Sequence, residues 1–183
     1  MTAAERTAHA LAETAEETLI RRAESLAVET QAEESTDILS LLLFRIGDEW
    51  YAVKVGDVRE IFQEYELTQI PCVPDYILGV VNVRGEILSV TDSAHIMGIG
   101  VVGTRDGVAP PAIVVANEEV VTALVVDEIG DICEVASGAI EPPISIIDRS
   151  QAEFVSGSVY IDGSMVGLIN IERILEPVVV GRH

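Results

Sequence analysis

Aromatic side chains are scarce, at 4% of the 183 residues, while hydrophobic residues as a whole make up 49%. The apolar content therefore sits in Val, Ile and Leu, whose branched side chains pack across pleated strands, and an all-β core is the first expectation. Basic residues are few as well. Eleven Lys and Arg stand against 31 Asp and Glu, for a formal net charge of −20. Nucleic acid is thereby excluded as a partner, because binding a polyanion depends on cations that release its counterions. Anionic membrane surfaces are disfavoured on the same ground, and no apolar run approaches the roughly 20 residues of a membrane span. Cys72 and Cys133 are too far apart for CxxC spacing and too few for a disulfide framework, so they read as two reduced, buried thiols. The three histidines are scattered, with no zinc-ligand spacing and no phosphoacceptor on a dimerisation helix. The N-terminus carries neither the basic start nor the apolar core of a secretory signal, so export is not expected.

What is present falls into blocks. Residues 1–36 are rich in Ala and Glu, with Leu11, Ala15, Leu19, Ala23 and Leu26 at near-helical spacing. The stripe is thin, which leaves a marginal amphipathic helix and a solvated extension both open. From Ile38 the pattern changes to short apolar runs broken by Gly, Asn, Asp and Pro, the spacing of small barrels or sandwiches. "ILSLLLFRI", "GDE" and "WYAVKV" make a first hairpin, and "DVREIF" makes a further strand. "QIPCVPDYI" is a proline-bounded loop, and "GVVNVRGEILSVTD" is a second hairpin. Asp92 then caps a helical stub, "SAHIM", its carboxylate accepting the free amides of the first turn.

The second half repeats this grammar. "YAVKVGDVREI" (51–61) lies over "TALVVDEIGDI" (122–132) at an offset of 71, which also places Pro71 on Pro142. "GVVNVRGEILSVTDSAHI" (79–96) lies over "GSVYIDGSMVGLINIERI" (157–174) at an offset of 78, the difference being a seven-residue insertion after Pro142. The matched glycines, Gly79 with Gly157 and Gly85 with Gly163, carry most of the weight, with the cap pair Asp92 and Asn170. Two barrels of about five strands each follow, the first over about 37–98 and the second over about 110–176, with a tail at 177–183. Each half alone has a small core, so an apolar interface between the halves is expected.

Duplication supplies an internal control. Arg84 precedes the turn glycine Gly85 and Glu60 ends "DVREIF", whereas the second half has Asp162 and Asp131 at those places. A fold common to both halves does not need the Arg or the Glu. An exposed ion pair contributes only about 0–1 kcal/mol, too little to be its own purpose. The reading is that Glu60 holds the guanidinium so that its donor fork faces a partner, with the Asn82 amide alongside.

Other motifs carry no chemistry. "GIGVVG" (98–103) spells G-x-G-x-x-G but follows a helical stub and opens no helix, so no dinucleotide cofactor is expected. "DEIGD" (127–131) with Glu134 lacks calcium-loop spacing, and no metal site is expected. Asp92, Ser93 and His95 share the letters of a hydrolytic triad without a nucleophile elbow; a hydrolase using Ser93 and His95 is the remote alternative.

The stretches "LLLFRIGDEWYAVKVGDVREIF", "QIPCVPDYILGVVNVRGEILSVTD", "TALVVDEIGDI" and "FVSGSVYIDGSMVGLINIERIL" together resemble the CheW family of bacterial chemotaxis coupling proteins, over nearly everything from 38 to 176. The resemblance implies two SH3-like five-stranded barrels. It also implies a cytoplasmic, non-enzymatic adaptor, recruited to receptor arrays at the inner membrane, that joins the chemoreceptor tip to a CheA-type histidine kinase. Carried over by position, Asn82, Arg84 and Gly85 are the N-x-R-G residues of the receptor site, Glu60 is the acidic partner, and Val58 and Ile61 are apolar contacts. The kinase face is not assigned to residues. A related module wired to pilus motility or gene expression is the alternative. "SAHIM" departs from the Leu and Arg that often follow Asp92 in the family, and the acidic block 1–36 lies outside the family domain.

Overall fold

The computed structural model describes residues 37–102, 109–143 and 151–180. The 1–36 block, read as helix or solvated extension, lies outside the described residues, as does part of the "GIGVVG" run. The first half forms β1 (Ile38–Ile46), β2 (Glu49–Lys54), β3 (Val58–Phe62), β4 (Ile77–Val83) and β5 (Glu86–Asp92), followed by the helical stub α1 (Ser93–Ile96). The second forms β6 (Ala112–Ala116), β7 (Val121–Val125), β8 (Glu128–Ala136), β9 (Val155–Ile161), β10 (Ser164–Ile169) and α2 (Ile171–Val180). Both expected hairpins and the stub stand where the residue pattern puts them. Helix α2 runs through Pro177 to Val180, past the expected domain end at 176.

The strands form two five-stranded sheets, ordered β8-β1-β2-β10-β9 and β3-β6-β7-β5-β4. They build the all-β, paired SH3-like barrel architecture, but neither sheet is made from one half of the chain. The β1–β2 hairpin pairs into the strands of the second half, and the β6–β7 hairpin into those of the first, so the barrels cross the boundary expected near 98–110. The reason is local. Only a 3-10 turn, Val55–Asp57, joins β2 to β3, and β2 continues its sheet by a parallel contact, which chain-adjacent strands joined by so short a turn cannot make. Strand β2 therefore pairs with β10, Trp50 opposite Val166 and Ala52 opposite Leu168. Strand β7 pairs with β5 in the same way, Thr122 opposite Ser89 and Ala123 opposite Val90.

Duplication holds strand by strand. Shifting Ala52 by 71 and Leu168 back by 78 gives Ala123 and Val90, themselves a parallel pair. The caps match too: Asp92 accepts the His95 amide at 3.1 Å and Asn170 that of Arg173 at 3.4 Å. One large apolar cluster runs through both barrels, and a second, smaller one of Leu41, Ala52, Val159, Val166 and Leu168 lies within the β8-β1-β2-β10-β9 barrel alone. Leu42, Phe44, Ile46 and Val53 of the first hairpin pack in the large cluster with Val81, Val90, Ile113, Leu124 and Leu175, so the apolar interface is present. Neither cysteine is buried as expected. Cys72 is exposed and Cys133 half-buried, both as free thiols, because the proline-bounded loop around Cys72 runs over the surface.

The matched glycines share a cause. Gly79 has φ +153°, and a Cβ there would lie 2.4 Å from the Thr68 carbonyl oxygen. Thr68 and Val80 exchange backbone hydrogen bonds of 2.9 and 2.8 Å, so a crossing segment presses on the glycine. At Gly157 a Cβ would meet the Glu141 oxygen at 2.9 Å. Gly79→Ala is therefore expected to lose about 1–3 kcal/mol by overpacking. Gly85→Ala, with φ +94° and nothing within 4 Å, should lose about 1 kcal/mol from backbone strain alone. Urea unfolding midpoints rank the two, and an equal loss would show that the Thr68 crossing is not held tightly.

Candidate docking site

The site is built on the β4–β5 turn. Arg84 and Gly85 have φ of +50° and +94°, the left-handed pair of a two-residue hairpin turn. Asn82 Oδ1 accepts the Gly85 amide at 2.9 Å and closes the turn. Its oxygen is thus engaged within the chain, and its amide nitrogen keeps both hydrogens for a partner. The sister turn keeps the backbone without these side chains: Asp162 and Gly163 have φ of +49° and +78°, with Tyr160 in place of Asn82. Asn or Asp tolerates this left-handed conformation better than Arg, for which it costs on the order of 1 kcal/mol. Arg84 therefore occupies a position to which backbone preference does not direct it.

Its guanidinium meets Glu60, Nη2 to Oε1, at 2.9 Å, with the Arg84 side chain 83% exposed and that of Glu60 29%. Strands β3 and β4 are the two edges of their sheet, so the pair bridges those edges where the sheet curls round. One nitrogen is held and the rest of the five-donor fork faces solvent. Val58 packs against the main core and acts as support. Ile61 is exposed. Sequence reasoning missed Ile87, which is 63% exposed and stands opposite Asn82 across the hairpin. The available signal was an isoleucine paired with an outward-facing asparagine in an alternating strand.

On the other barrel the charges run the opposite way. Burial, with the nearby Asp162 carboxylate, pushes the Cys133 thiol on β8 up from its ordinary value. Asp162 thus stands toward β8 much as Arg84 stands toward β3, but as an anion.

The triad letters do not assemble. Ser93 Oγ donates to the Val125 carbonyl at 2.5 Å, and the residue is 1% exposed. The Asp92 carboxylate is occupied by the amides of His95 and Val102, so the hydrolase alternative finds no support in this geometry. Among the described residues no group of three or more His, Cys, Asp or Glu is placed to hold a metal, and no helix is long and apolar enough to cross a membrane.

Paired SH3-like barrels with a braced, exposed cation on one edge define an all-β interaction module. Residues 40–178 match the CheW-like domain family, and the chain belongs to it. Similar proteins include a probable chemotaxis protein CheW of Rhizobium etli, 36% identical over 135 residues, covering 73% of this chain and 85% of that one. Protein PilI of Pseudomonas aeruginosa is 33% identical over 86 residues, 47% of each chain. The crystal structure of the scaffolding protein TtCheW from Thermoanaerobacter tengcongensis superposes with a TM-score of 0.67 at 28% identity, covering 75% of this chain and 92% of that one.

The exposure of the ion pair sets its stability contribution at no more than about 1 kcal/mol. Arg84→Asn exchanges it for a residue suited to φ +50°, so thermal unfolding is expected to stay within about 0.5 kcal/mol of the parent. A large fall would make the pair a structural brace instead.

Proposed function

We propose that this CheW-like scaffold is a non-enzymatic adaptor coupling the cytoplasmic tip of chemoreceptors to a CheA-type histidine kinase, with the receptor engaged at Arg84. The observation that carries this reading is the exposed guanidinium, fixed by Glu60 on a left-handed turn residue, with no counterpart on the sister barrel. In the proposed complex the free donors of Arg84 meet receptor carbonyl or carboxylate oxygens, where a charge-assisted bond is stronger than a neutral one. The Asn82 nitrogen adds a donor, Ile61 and Ile87 supply apolar contact, and Gly85 lets the partner backbone approach. Val58 holds β3 in place beneath. The kinase engages elsewhere on the barrels, and heterologous contacts of that kind can close into rings that spread one receptor's shift to several kinases. The adaptor reaches the inner membrane through its receptor and does not insert into the bilayer. The similarity to PilI favours a second reading, the same module serving a non-flagellar output.

The test is co-sedimentation with receptor-containing membranes and kinase. Arg84→Glu is expected to fold normally yet lose receptor engagement on the order of tenfold or more, the loss typical of an arginine at the centre of an interface. The exchange Glu60→Arg with Arg84→Glu restores an opposite pair, and it is expected to remain uncoupled. Parental sedimentation and kinase control in Arg84→Glu, or recovery in the exchanged variant, would remove the guanidinium from the receptor contact.

A further inference from the structure

The two barrels keep one surface property and reverse another. Ile61 and Ile132 are equivalent at the offset of 71, Ile87 and Met165 at the offset of 78, and all four are exposed. A single exposed aliphatic side chain is ordinary, but the strand fold gives no reason for the same two outward positions to be apolar on both barrels. On the second barrel Tyr160, 65% exposed, stands opposite Met165 across the β9–β10 hairpin. The Asp162 carboxylate on that turn reaches β8, where it helps to push the Cys133 thiol up, so the turn lies beside the strand that carries Ile132. Three large apolar side chains are thus exposed on adjoining elements.

Charge is what reverses. Where the first barrel joins Glu60 to Arg84, the second has Asp131 and Asp162, both exposed and neither in an ion pair among the described residues. Carboxylates alone would make a solvated edge. Framed by apolar side chains, they match a surface that offers a cation between aliphatic groups, and the chain itself carries that surface in the Arg84 fork with Ile61 and Ile87. Neither edge suits a copy of itself, because Arg84 would meet Arg84 and Asp162 would meet Asp162. The two different edges do suit each other. They follow one backbone plan, so a face-to-face contact about a pseudo-two-fold axis sets Arg84 against Asp162 while Ile61 and Ile87 meet Ile132 and Met165.

We propose that this edge of the second barrel docks on the Arg84 edge of a second copy of the chain, head to tail. A pair of copies then keeps one free edge of each sign, so association proceeds through open or closed chains and not through a symmetric dimer. The contact covers Arg84. On the receptor reading above, an associated chain therefore cannot engage a receptor, and self-association holds a reserve that receptor binding draws down; the association itself does not rest on that reading.

The test is sedimentation velocity of the full chain, without receptor or kinase, at about 0.15 M salt, where screening over about 8 Å damps the repulsion between copies of charge −20 but spares contacts at the edge. The weight-average sedimentation coefficient is expected to rise with concentration. Arg84→Glu leaves both edges acidic and Asp162→Arg gives both turns a cation, and each alone should weaken association on the order of tenfold or more. Asp162→Arg places in the turn the residue that the sister turn holds at φ +50°, so it should fold and still engage receptor-containing membranes, which separates failure of this contact from failure of the receptor reading. Mixed in equal amounts, the two variants should recover association, because each then finds an edge of opposite sign. A coefficient that does not change with concentration, undiminished association in either variant, or no recovery on mixing overturns the proposal. Loss of kinase co-sedimentation in Asp162→Arg, with no self-association in the parent, assigns the edge to the kinase and overturns it too.

Discussion

Two parallel strand contacts, β2 on β10 and β5 on β7, lock the halves of the chain into each other. Each joins a hairpin from one half to two strands from the other, while the third pairs antiparallel on the hairpin's far side, β8 on β1 and β3 on β6, so neither barrel can be completed without both halves. Parallel pairing gains less per residue than an antiparallel ladder. One junction carries extra polar bonding: Thr122 Oγ1 lies 2.8 Å from both Ser89 Oγ and Thr91 Oγ1, in the interior. A register slip of one residue would bury these hydroxyls without partners, so the network specifies alignment as well as adding stability. The core reinforces the lock, because Phe44 and Val53 of the exchanged hairpin pack with Ile113 and Leu124 across the sheets.

That constraint sets up the Arg84 turn. Exchange leaves β3 and β4 as the edges of their sheet, and curling brings the β4–β5 turn beside β3, within reach of Glu60. The guanidinium is thus anchored to two elements far apart in the strand order, which restricts its orientation more than a single neighbour on its own strand would. An oriented fork recognises a planar acceptor at a lower entropic cost than a free side chain, because part of the ordering is done before the partner arrives.

Much of this was legible in residues, for identifiable reasons. Hairpins were readable because Gly85 and Gly163 mark left-handed turns, and the repeat because Gly79, Gly157, Asp92 and Asn170 occupy positions that backbone geometry restricts. Ownership of the sheets was not. Alternation along Val-rich strands tells which side chains turn inward, but Val90 would look the same beside Ala123 as beside any other small neighbour. The exposure of Cys72 escaped because thiol burial was argued from residue type and not from its place between Pro71 and Pro74. The Glu60–Arg84 contact could be inferred because the sister half reverses the charge at Arg84 while keeping the turn. Closure of the Asn82 carboxamide on Gly85 depends on one rotamer, which no spacing rule supplies.

Sister barrels on one backbone plan also bear on how the two proposed partners would be told apart. Side chains that the backbone does not restrict have diverged at equivalent places: Arg84 against Asp162, Asn82 against Tyr160, Ile87 against Met165, Tyr51 against Thr122. A partner presenting acceptor oxygens to Arg84 would meet carboxylates at Asp131 and Asp162 if it tried the other barrel, and like charges brought together on docking cost several kcal/mol. In the proposed complex, repulsion on one barrel would then be as much a part of recognition as attraction on the other. Because the interlocked core holds the barrels as a single packed body, a ligand fixed to one edge also fixes where the opposite surface points. An adaptor needs that geometric property, and it follows from the strand exchange without any moving part.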